Sequence, residues 1–288
     1  MFIPRTDMAD ERRKDILCRT SRDIPGLDAD IFEDGGMQVT RISVKSPEAA
    51  REMAKPEGEY ITLDLRRKWQ HDDELVADSA RRISKYITPL VPERGGILAV
   101  GLGNRYITAD ALGPLTCEKI IVTRHLKSHM PDVFSSMREV SCISPGVLGQ
   151  TGIEVQDIVR ALCQAVSPSA VIVVDALAAR SLSRLGCSFQ ISTGGIIPGE
   201  GAGSRRFALD RDTLGVPVIS LGVPTVVDAA TLARDMTGTD AGIESGGFLV
   251  SPGDVDLLIA KSAKAIGYAV DLALHGDMAI SDIEQLLP

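Results

Sequence analysis

The chain has 288 residues, of which 44% are hydrophobic and 24% are charged. These values are typical of a globular protein and exclude a disordered or fibrous chain. The formal net charge of −8 disfavours direct binding of nucleic acid or of an anionic membrane, because proteins of those classes usually carry a basic face.

The N-terminal region is rich in charge and has no continuous apolar segment, so we expect no secretory signal. No later apolar run reaches the length of about 18 residues that a membrane span needs, which predicts a cytoplasmic protein. Residues 1 to about 35 are interrupted by proline and glycine and predict a charged arm outside the main core. The five cysteines are an odd number without a C-x-x-C spacing, which favours reduced thiols.

Apolar residues recur with strand and helix periods along the rest of the chain. Strands are predicted at 60–65, 97–100, 120–123, 171–174, 188–192 and 216–221, and helices at 76–90, from Asp110 onward, at 155–166 behind a Thr151/Glu154 capping box, and at 252–273. The continuous apolar runs suit strands buried on both faces of a parallel sheet. Because strands alternate with helices, the sequence predicts an α/β domain, with loops at 193–204 and 236–247.

Two aspartates follow buried strands. Asp110 comes after the glycine turn at 101–104, and Asp175 comes directly after 171–174. Open parallel sheets bind ligands beyond the carboxyl ends of their strands, so both side chains are expected near such a site. Two carboxylates that share a proton can serve as base and acid toward water, which is the chemistry of peptide hydrolysis. The alternative, of equal weight, is that each aspartate caps the helix after it.

Other motifs are weaker. A dinucleotide site at the glycine turn lacks its third glycine, since position 106 is Tyr106, and the 199–206 stretch could hold an anion but lacks the Walker ending. His125 and His129 have an i,i+4 spacing without the glutamate of a zinc motif, so surface or packing roles are favoured. Asp228 is interpreted as a structural cap.

Four segments together resemble the germination protease family of spore-forming bacteria, which cleaves small acid-soluble spore proteins when a spore germinates. The segments are Val100–Asn104 with Thr108 and 110–114, Val122–Leu126, Val174–Ser181, and Gly215–Asp228.

The resemblance implies a fold similar to the hydrogenase maturation endopeptidases, with a largely parallel sheet sandwiched by helices. It also implies a homotetramer in the spore core, small acid-soluble spore proteins as substrates, and a catalytic pair that falls on Asp110 and Asp175. No cofactor is expected, and the metal requirement stays open. Ile197 stands where a histidine often occurs in the family, which removes one potential metal ligand. Two alternatives are a metal-dependent maturation protease that binds its ion through the two aspartates, and a nonenzymatic nucleotide-binding module.

Members of this family are made as zymogens that remove a short leader at a site resembling Thr-Glu before Ile or Phe and then Ala. Thr6-Asp7-Met8-Ala9 fits that pattern. We therefore expect self-cleavage between Asp7 and Met8, with 1–7 as propeptide and 8–288 as a single α/β protease domain. The alternative is an ordinary charged and frayed terminus.

Overall fold

The computed structural model describes residues 5–65, 69–197, 208–238, 247–276 and 278–287. Within these ranges one sheet of nine strands lies between helices. The strands are β1 Leu27–Asp34, β2 Met37–Val44, β3 Gly58–Asp64, β4 Ile97–Gly101, β5 Val140–Ile143, β6 Ala170–Ala179, β7 Ser188–Ser192, β8 Val218–Asp228 and β9 Leu249–Val250. The helices are α1 Ala9–Thr20, α2 Pro47–Met53, α3 Asp73–Ile87, α4 Leu112–Cys117, α5 Arg124–His129, α6 Pro131–Phe134, α7 Leu148–Thr151, α8 Val155–Val166, α9 Arg211–Leu214, α10 Ala229–Thr237, α11 Val255–His275 and α12 Ile280–Leu286.

The sheet has the order β1-β2-β3-β7-β8-β6-β4-β5, with β9 paired to β8. Strands β8, β6, β4 and β5 are parallel, whereas β1, β2, β3 and β7 pair antiparallel, as does β7 with β8. The predicted α/β class, with helices on both sides of a central sheet, is confirmed. The parallel arrangement holds for four strands, and β8 joins them to an antiparallel half that the sequence did not predict.

Alternate residues of β4 show that both faces of the parallel half are buried. Ile97 and Ala99 belong to the hydrophobic cluster that contains α3 and α11. Leu98 and Val100 belong to the opposite cluster, which contains α8. This two-sided burial explains why the strand has a continuous apolar run instead of an alternating one.

The prediction of an N-terminal arm outside the core is wrong. Helix α1 buries Ala9 and Ile16, and β1 pairs with β2 along its whole length. The high charge of this segment led to the wrong prediction, because part of that charge is paired inside the protein. Arg184, for example, forms ion pairs with Asp10 and Asp64. The division into 1–7 and 8–288 stays a prediction.

The prediction of a strand at 120–123 is also wrong, since β5 occupies the position beside β4. The backbone N–H of Ile121 donates to both carboxylate oxygens of Asp271, at 3.1 and 3.2 Å. A side chain 150 positions away thus provides the hydrogen bond that a neighbouring strand would otherwise supply.

Several elements agree with prediction and differ at their ends. Helices α3, α8 and α11 and strands β3, β4 and β7 are confirmed, whereas β6 and β8 run on to Ala179 and Asp228. The predicted cap of α8 is wrong, because Thr151 ends α7 and Glu154 is the N-cap residue. Asp228 is confirmed as a cap, since it accepts from the Thr231 N–H at 2.9 Å. Both predicted long loops extend in part outside the described residues, and the 199–206 stretch lies wholly outside them.

None of the five cysteines, all of which lie in the described ranges, forms a disulfide bond. None of the helices in the described ranges is both long and apolar enough to cross a membrane.

Helix α4 lies in direct backbone contact with the strands below it. A Cβ added to Gly113 would lie 2.3 Å from the Leu102 carbonyl oxygen and 2.6 Å from that of Val174. A Cβ at Gly101 would lie 2.2 Å from the Gly113 carbonyl oxygen. These two glycines therefore fix α4, and the turn before it that carries Asp110, against the end of β4 and the middle of β6.

We expect Gly113→Ala to destabilise the protein by about 1–3 kcal/mol, because the added methyl group overpacks a backbone contact. The matched control is Gly149→Ala in α7, where an added Cβ has no neighbour within 4 Å. The measurement is the free energy of unfolding in urea, and equal stability of the two variants would contradict the prediction.

The burial of Asp271 predicts that the stability of the protein falls as the pH rises. It is fully buried in α11, and burial raises its pKa to about 8. The unfolded chain releases this proton near pH 4, so the folded state binds more protons between that pH and 8. The stabilisation is therefore complete below about pH 4 and is lost as the pH rises toward 8, at up to about 1.4 kcal/mol per pH unit.

Asp271→Asn keeps an acceptor for Ile121 and removes the titration, so its free energy of unfolding should vary less between pH 5 and 8. The control is Asp157→Asn on the exposed side of α8. Urea unfolding at several pH values gives the slopes, and an unchanged slope for Asp271→Asn would refute the assignment.

Candidate active site

A cavity lies over the middle of the sheet, where β6, β8 and β7 run side by side. Its lining includes Asp7, Lys55, Asp175, Gln190 and Ile197, and we call it the central cavity. The residue before the predicted cleavage point and one of the two predicted catalytic aspartates therefore share one cavity.

The sheet register sets the cavity floor. Gly222 of β8 is the Cα partner of Asp175 in β6 and of Gln190 in β7. Cross-strand partners project to the same face, so both side chains rise on either side of the glycine. With strands about 4.8 Å apart, the Cα atoms of Asp175 and Gln190 are about 10 Å apart.

Asp175 lies inside β6 and not past its end, which corrects the predicted position. Only 6% of its surface is exposed, and its Oδ1 accepts from the Ala176 N–H at 2.9 Å. Asp175 and Gly222 both line the central cavity, and the Leu177 side chain packs over the glycine. The expected cap of a following helix is not its structural setting, because the strand continues to Ala179.

Asp110 lies in a single 3₁₀ turn, Thr108–Asp110, between β4 and α4. Its Oδ2 accepts from the Asn104 N–H at 2.7 Å, so the carboxylate closes the turn that precedes it. Gly103 has a φ of +111°, and a Cβ there would lie 2.0 Å from the Asp110 carbonyl oxygen. The turn is also tied to β8, because Thr225 Oγ1 donates to the Ala109 carbonyl at 2.7 Å.

Asp175 and the turn that carries Asp110 both lie near the level at which β4 ends. Gly101 of β4 pairs with Val174, so the chain leaves β4 next to Asp175 and then reaches Asp110. Asp175 lines the central cavity, and the described lining does not include Asp110. Joint action of the two carboxylates stays a prediction.

The N-terminal segment enters the central cavity in an extended form. The Asp7 N–H donates to the Ala178 carbonyl at 2.8 Å, and the Ala178 N–H donates to Asp7 Oδ2 at 2.7 Å. Asp7 is 6% exposed, and Met8 and Ala9 are fully buried. Met8 packs in an apolar cluster with Leu177 and other residues. The alternative of a frayed terminus is wrong for residues 6–9.

Gln190 contacts both sides of the Asp7–Met8 peptide. Its Nε2 donates to the Asp7 carbonyl oxygen at 3.2 Å, and its Oε1 accepts from the Ala9 N–H at 2.7 Å. Thr6 contacts the same bond from the other side, since Thr6 Oγ1 accepts from the Met8 N–H at 3.0 Å. Every polar backbone atom of this peptide therefore has a partner.

Buried charge anchors α1 directly after this peptide. Glu11 accepts from the Thr6 hydroxyl at 2.5 Å and from the Arg180 and Ser181 N–H groups at 2.7 and 3.2 Å. Burial raises the pKa of Glu11, although the hydrogen bond from Arg180 acts in the opposite direction. Asp15 forms an ion pair with the Arg180 side chain.

A metal site needs several donor side chains close together. Among the described residues no group of three or more histidine, cysteine, aspartate or glutamate side chains could hold a metal ion. Ile197, at the position where the family often has a histidine, lines the central cavity with an apolar side chain. His125 and His129 are joined by a bond from the His129 ring to the His125 carbonyl and lie outside the cavity. The described residues do not fit a metal site of the maturation-protease kind.

Sequence reasoning missed Gln190 and Glu11. Gln190 lies in a strand that was predicted correctly, and a polar residue in a buried strand was the only local signal. Glu11 was one of many charges in the N-terminal region. Their roles depend on contacts with residues more than 160 positions away.

Comparison with known proteins gives a consistent result. The sequence profile of the germination protease peptidase family matches residues 3–239. The germination protease of Clostridium perfringens is 36% identical over an alignment of 327 positions that covers 100% of both chains. That of Caldanaerobacter subterraneus is 37% identical and covers 98% of each chain. That of Bacillus velezensis is 40% identical over 81% of this chain and 66% of its own.

Among solved structures, the NiFe hydrogenase maturation protease HycI from Thermococcus kodakarensis resembles this chain with a TM-score of 0.40 and 18% identity. The match covers 66% of this chain and 98% of that protein. The family assignment rests on the sequence matches, which extend over most or all of the chain: this chain belongs to the germination protease family.

Proposed function

We propose that this chain is the zymogen of an endopeptidase that begins the degradation of small acid-soluble spore proteins at germination. In this proposal it removes its own residues 1–7 by cutting between Asp7 and Met8, and it acts as a homotetramer in the spore core. The observation that carries the proposal is the buried Asp7–Met8 peptide, whose residue Asp7 lines the same cavity as Asp175.

The proposed chemistry is addition of water to the Asp7 carbonyl carbon. One carboxylate of the Asp110/Asp175 pair takes a proton from the water, and the other, protonated, gives a proton to the Met8 nitrogen as the C–N bond breaks. Asp175 is the better placed of the two, because it lines the same cavity as Asp7.

The binding mode of the N-terminal segment also supports a protein substrate of extended form. Asp7 is bound through backbone atoms of Ala178, and its carboxylate is bound through a backbone N–H. Such contacts recognise an extended chain with an acidic residue before the cut bond, and they depend little on the other side chains of the substrate. Small, disordered spore proteins provide such chains without prior unfolding.

The test is mass spectrometry of the full chain during incubation at mildly acidic pH. We expect loss of residues 1–7 by the parent protein and a rate lower by about 10²–10⁴-fold for Asp175→Asn, because a general acid or base is removed. The control Asp157→Asn should process like the parent. A chain that begins at Met8 should also cut a peptide containing Thr-Glu-Ile-Ala between Glu and Ile.

A folded parent that neither processes itself nor cuts the peptide would overturn the proposal. Cleavage elsewhere would overturn the assignment of Asp7 and Met8. The same reactions with a chelator decide between metal-free hydrolysis and the metal-dependent alternative, since only the second loses activity.

The burial of Glu11 predicts how pH affects docking of residues 6–9, the cleavage segment, against the rest of the protein. Its folded-state pKa lies above the ordinary value because of burial. The charged groups around it are Asp10 and Arg184, together with the Arg180 side chain that pairs with Asp15. The docked state therefore binds more protons than the undocked state. Its stabilisation is complete below about pH 4.5 and is lost as the pH rises through the raised value.

Glu11→Gln should keep the segment docked with a weaker dependence on pH, because it removes the titration and keeps an acceptor. Hydrogen exchange at the Met8 and Ala9 amides between pH 4.5 and 7 measures docking directly. Glu74→Gln on the exposed side of α3 is the control. Equal pH dependence of protection in the parent and Glu11→Gln would contradict the prediction.

A further inference from the structure

We propose that Gln190 is a catalytic residue that stabilises the negative charge formed on the Asp7 carbonyl oxygen during cleavage of the Asp7–Met8 bond. This inference rests on the proposed self-cleavage and deepens it, because it assigns the group that binds the oxyanion. The observation behind it is the hydrogen bond from Gln190 Nε2 to the Asp7 carbonyl oxygen at 3.2 Å.

The orientation of the Gln190 amide group follows from its partners. The Ala9 N–H is a donor, so the atom 2.7 Å from it is the Gln190 oxygen. The Asp7 carbonyl oxygen is an acceptor, so the other end of the same amide group presents an N–H to it. One side chain thus donates to the carbonyl before the cut and accepts from an amide after it.

Gln190 is held on a rigid support. It lies in β7 between β3 and β8, with Thr62 and Gly222 as its Cα partners, and it is 8% exposed. Asp175 pairs with the same Gly222 from the other side. The Asp7 carbonyl oxygen therefore accepts from a side chain that belongs to the same row of cross-strand partners as Asp175.

The chemistry requires such a donor. When the oxygen of water bonds to the Asp7 carbonyl carbon, the π-electron pair of the C=O bond moves to the oxygen, which becomes negative. The Gln190 N–H is already directed at that atom, and it is buried, where a hydrogen bond to a charged oxygen is strengthened. When the intermediate collapses, that electron pair re-forms the C=O π bond. The electrons of the C–N bond leave with the Met8 nitrogen, which takes a proton from a carboxyl group.

A purely structural role of Gln190 is the alternative to this catalytic one. Gln190 Oε1 satisfies the Ala9 N–H, one of the amides of the first turn of α1, and this bond alone could hold the segment in place. The donor and the acceptor are different atoms, so two substitutions distinguish the roles. Gln190→Glu keeps the acceptor for Ala9 and removes the donor, and Gln190→Met has a similar length and removes both.

The experiment measures the first-order rate of conversion of the full chain to the chain beginning at Met8, by mass spectrometry. It also measures kcat and KM of the processed chain on a Thr-Glu-Ile-Ala peptide. We expect both Gln190 variants to lose about 10²–10³-fold in the processing rate and in kcat, with little change in KM. Gln190→Glu should lose at least as much as Gln190→Met, because it places a negative charge beside the oxyanion.

Gln285→Glu, on the exposed side of α12, is the matched control and should behave as the parent. Thermal unfolding identifies any variant that does not fold. If Gln190→Glu does not fold, the rates of the neutral Gln190→Met variant decide the question. Processing by Gln190→Glu at the parent rate, or a loss confined to KM, would overturn this inference and leave the proposed function intact. A folded parent that does not cleave, and so does not differ from Asp175→Asn, would overturn both.

Discussion

The geometry of the central cavity depends on the register of β8, the strand that joins the parallel and antiparallel halves of the sheet. Gly222 pairs with Asp175 through a parallel ladder and with Gln190 through an antiparallel one. A slip of one residue in either ladder would move one of these side chains to the opposite face of the sheet. The packing at this point supports the register, because a Cβ on Gly222 would lie 2.6 Å from Leu177 Cδ1.

The N-terminal segment is held unequally on the two sides of the Asp7–Met8 bond. After the bond, Met8 is fully buried in an apolar cluster, and Arg184, between Asp10 and Asp64, ties α1 to the domain. Buried charges of this kind are costly to separate, since each would be left without its partner. Before the bond, the described contacts are mainly hydrogen bonds of Thr6 and Asp7. Under the proposed function, cleavage therefore separates Thr6 and Asp7, which are held by hydrogen bonds, from a helix that is also held by apolar packing and ion pairs.

The sequence predicts those parts of the fold that local patterns determine. The buried strands β4 and β6 and the amphipathic helices α3 and α8 follow from runs and periods of apolar residues. The edge strand β1 was missed because most of its residues are exposed and many are charged. The strand wrongly predicted at 120–123 has the opposite cause. Its residues are apolar, but the Ile121 N–H donates to the distant Asp271 carboxylate and not to a neighbouring strand.

The candidate site shows the same division. Asp110 and Asp175 were found because each follows a buried strand, which is a local feature. The environment of Asp175 was not predictable in this way, since it depends on how far β6 continues and on a glycine in β8. Gln190 belongs to no sequence motif. Its contacts with the N-terminal segment form only when β7, β8 and that segment come together in the fold.

This arrangement implies an order of events for the proposed protease. The segment that lines the cavity through Asp7 belongs to the same chain, so its effective concentration exceeds that of a separate substrate. Self-cleavage therefore comes first, and departure of residues 1–7 frees the positions before the cut bond. Met8 and Ala9 still occupy the positions after it, held by the apolar cluster and by Gln190. A second polypeptide cannot bind there until these two residues move, so the first turn of α1 must open before the enzyme can act on another protein.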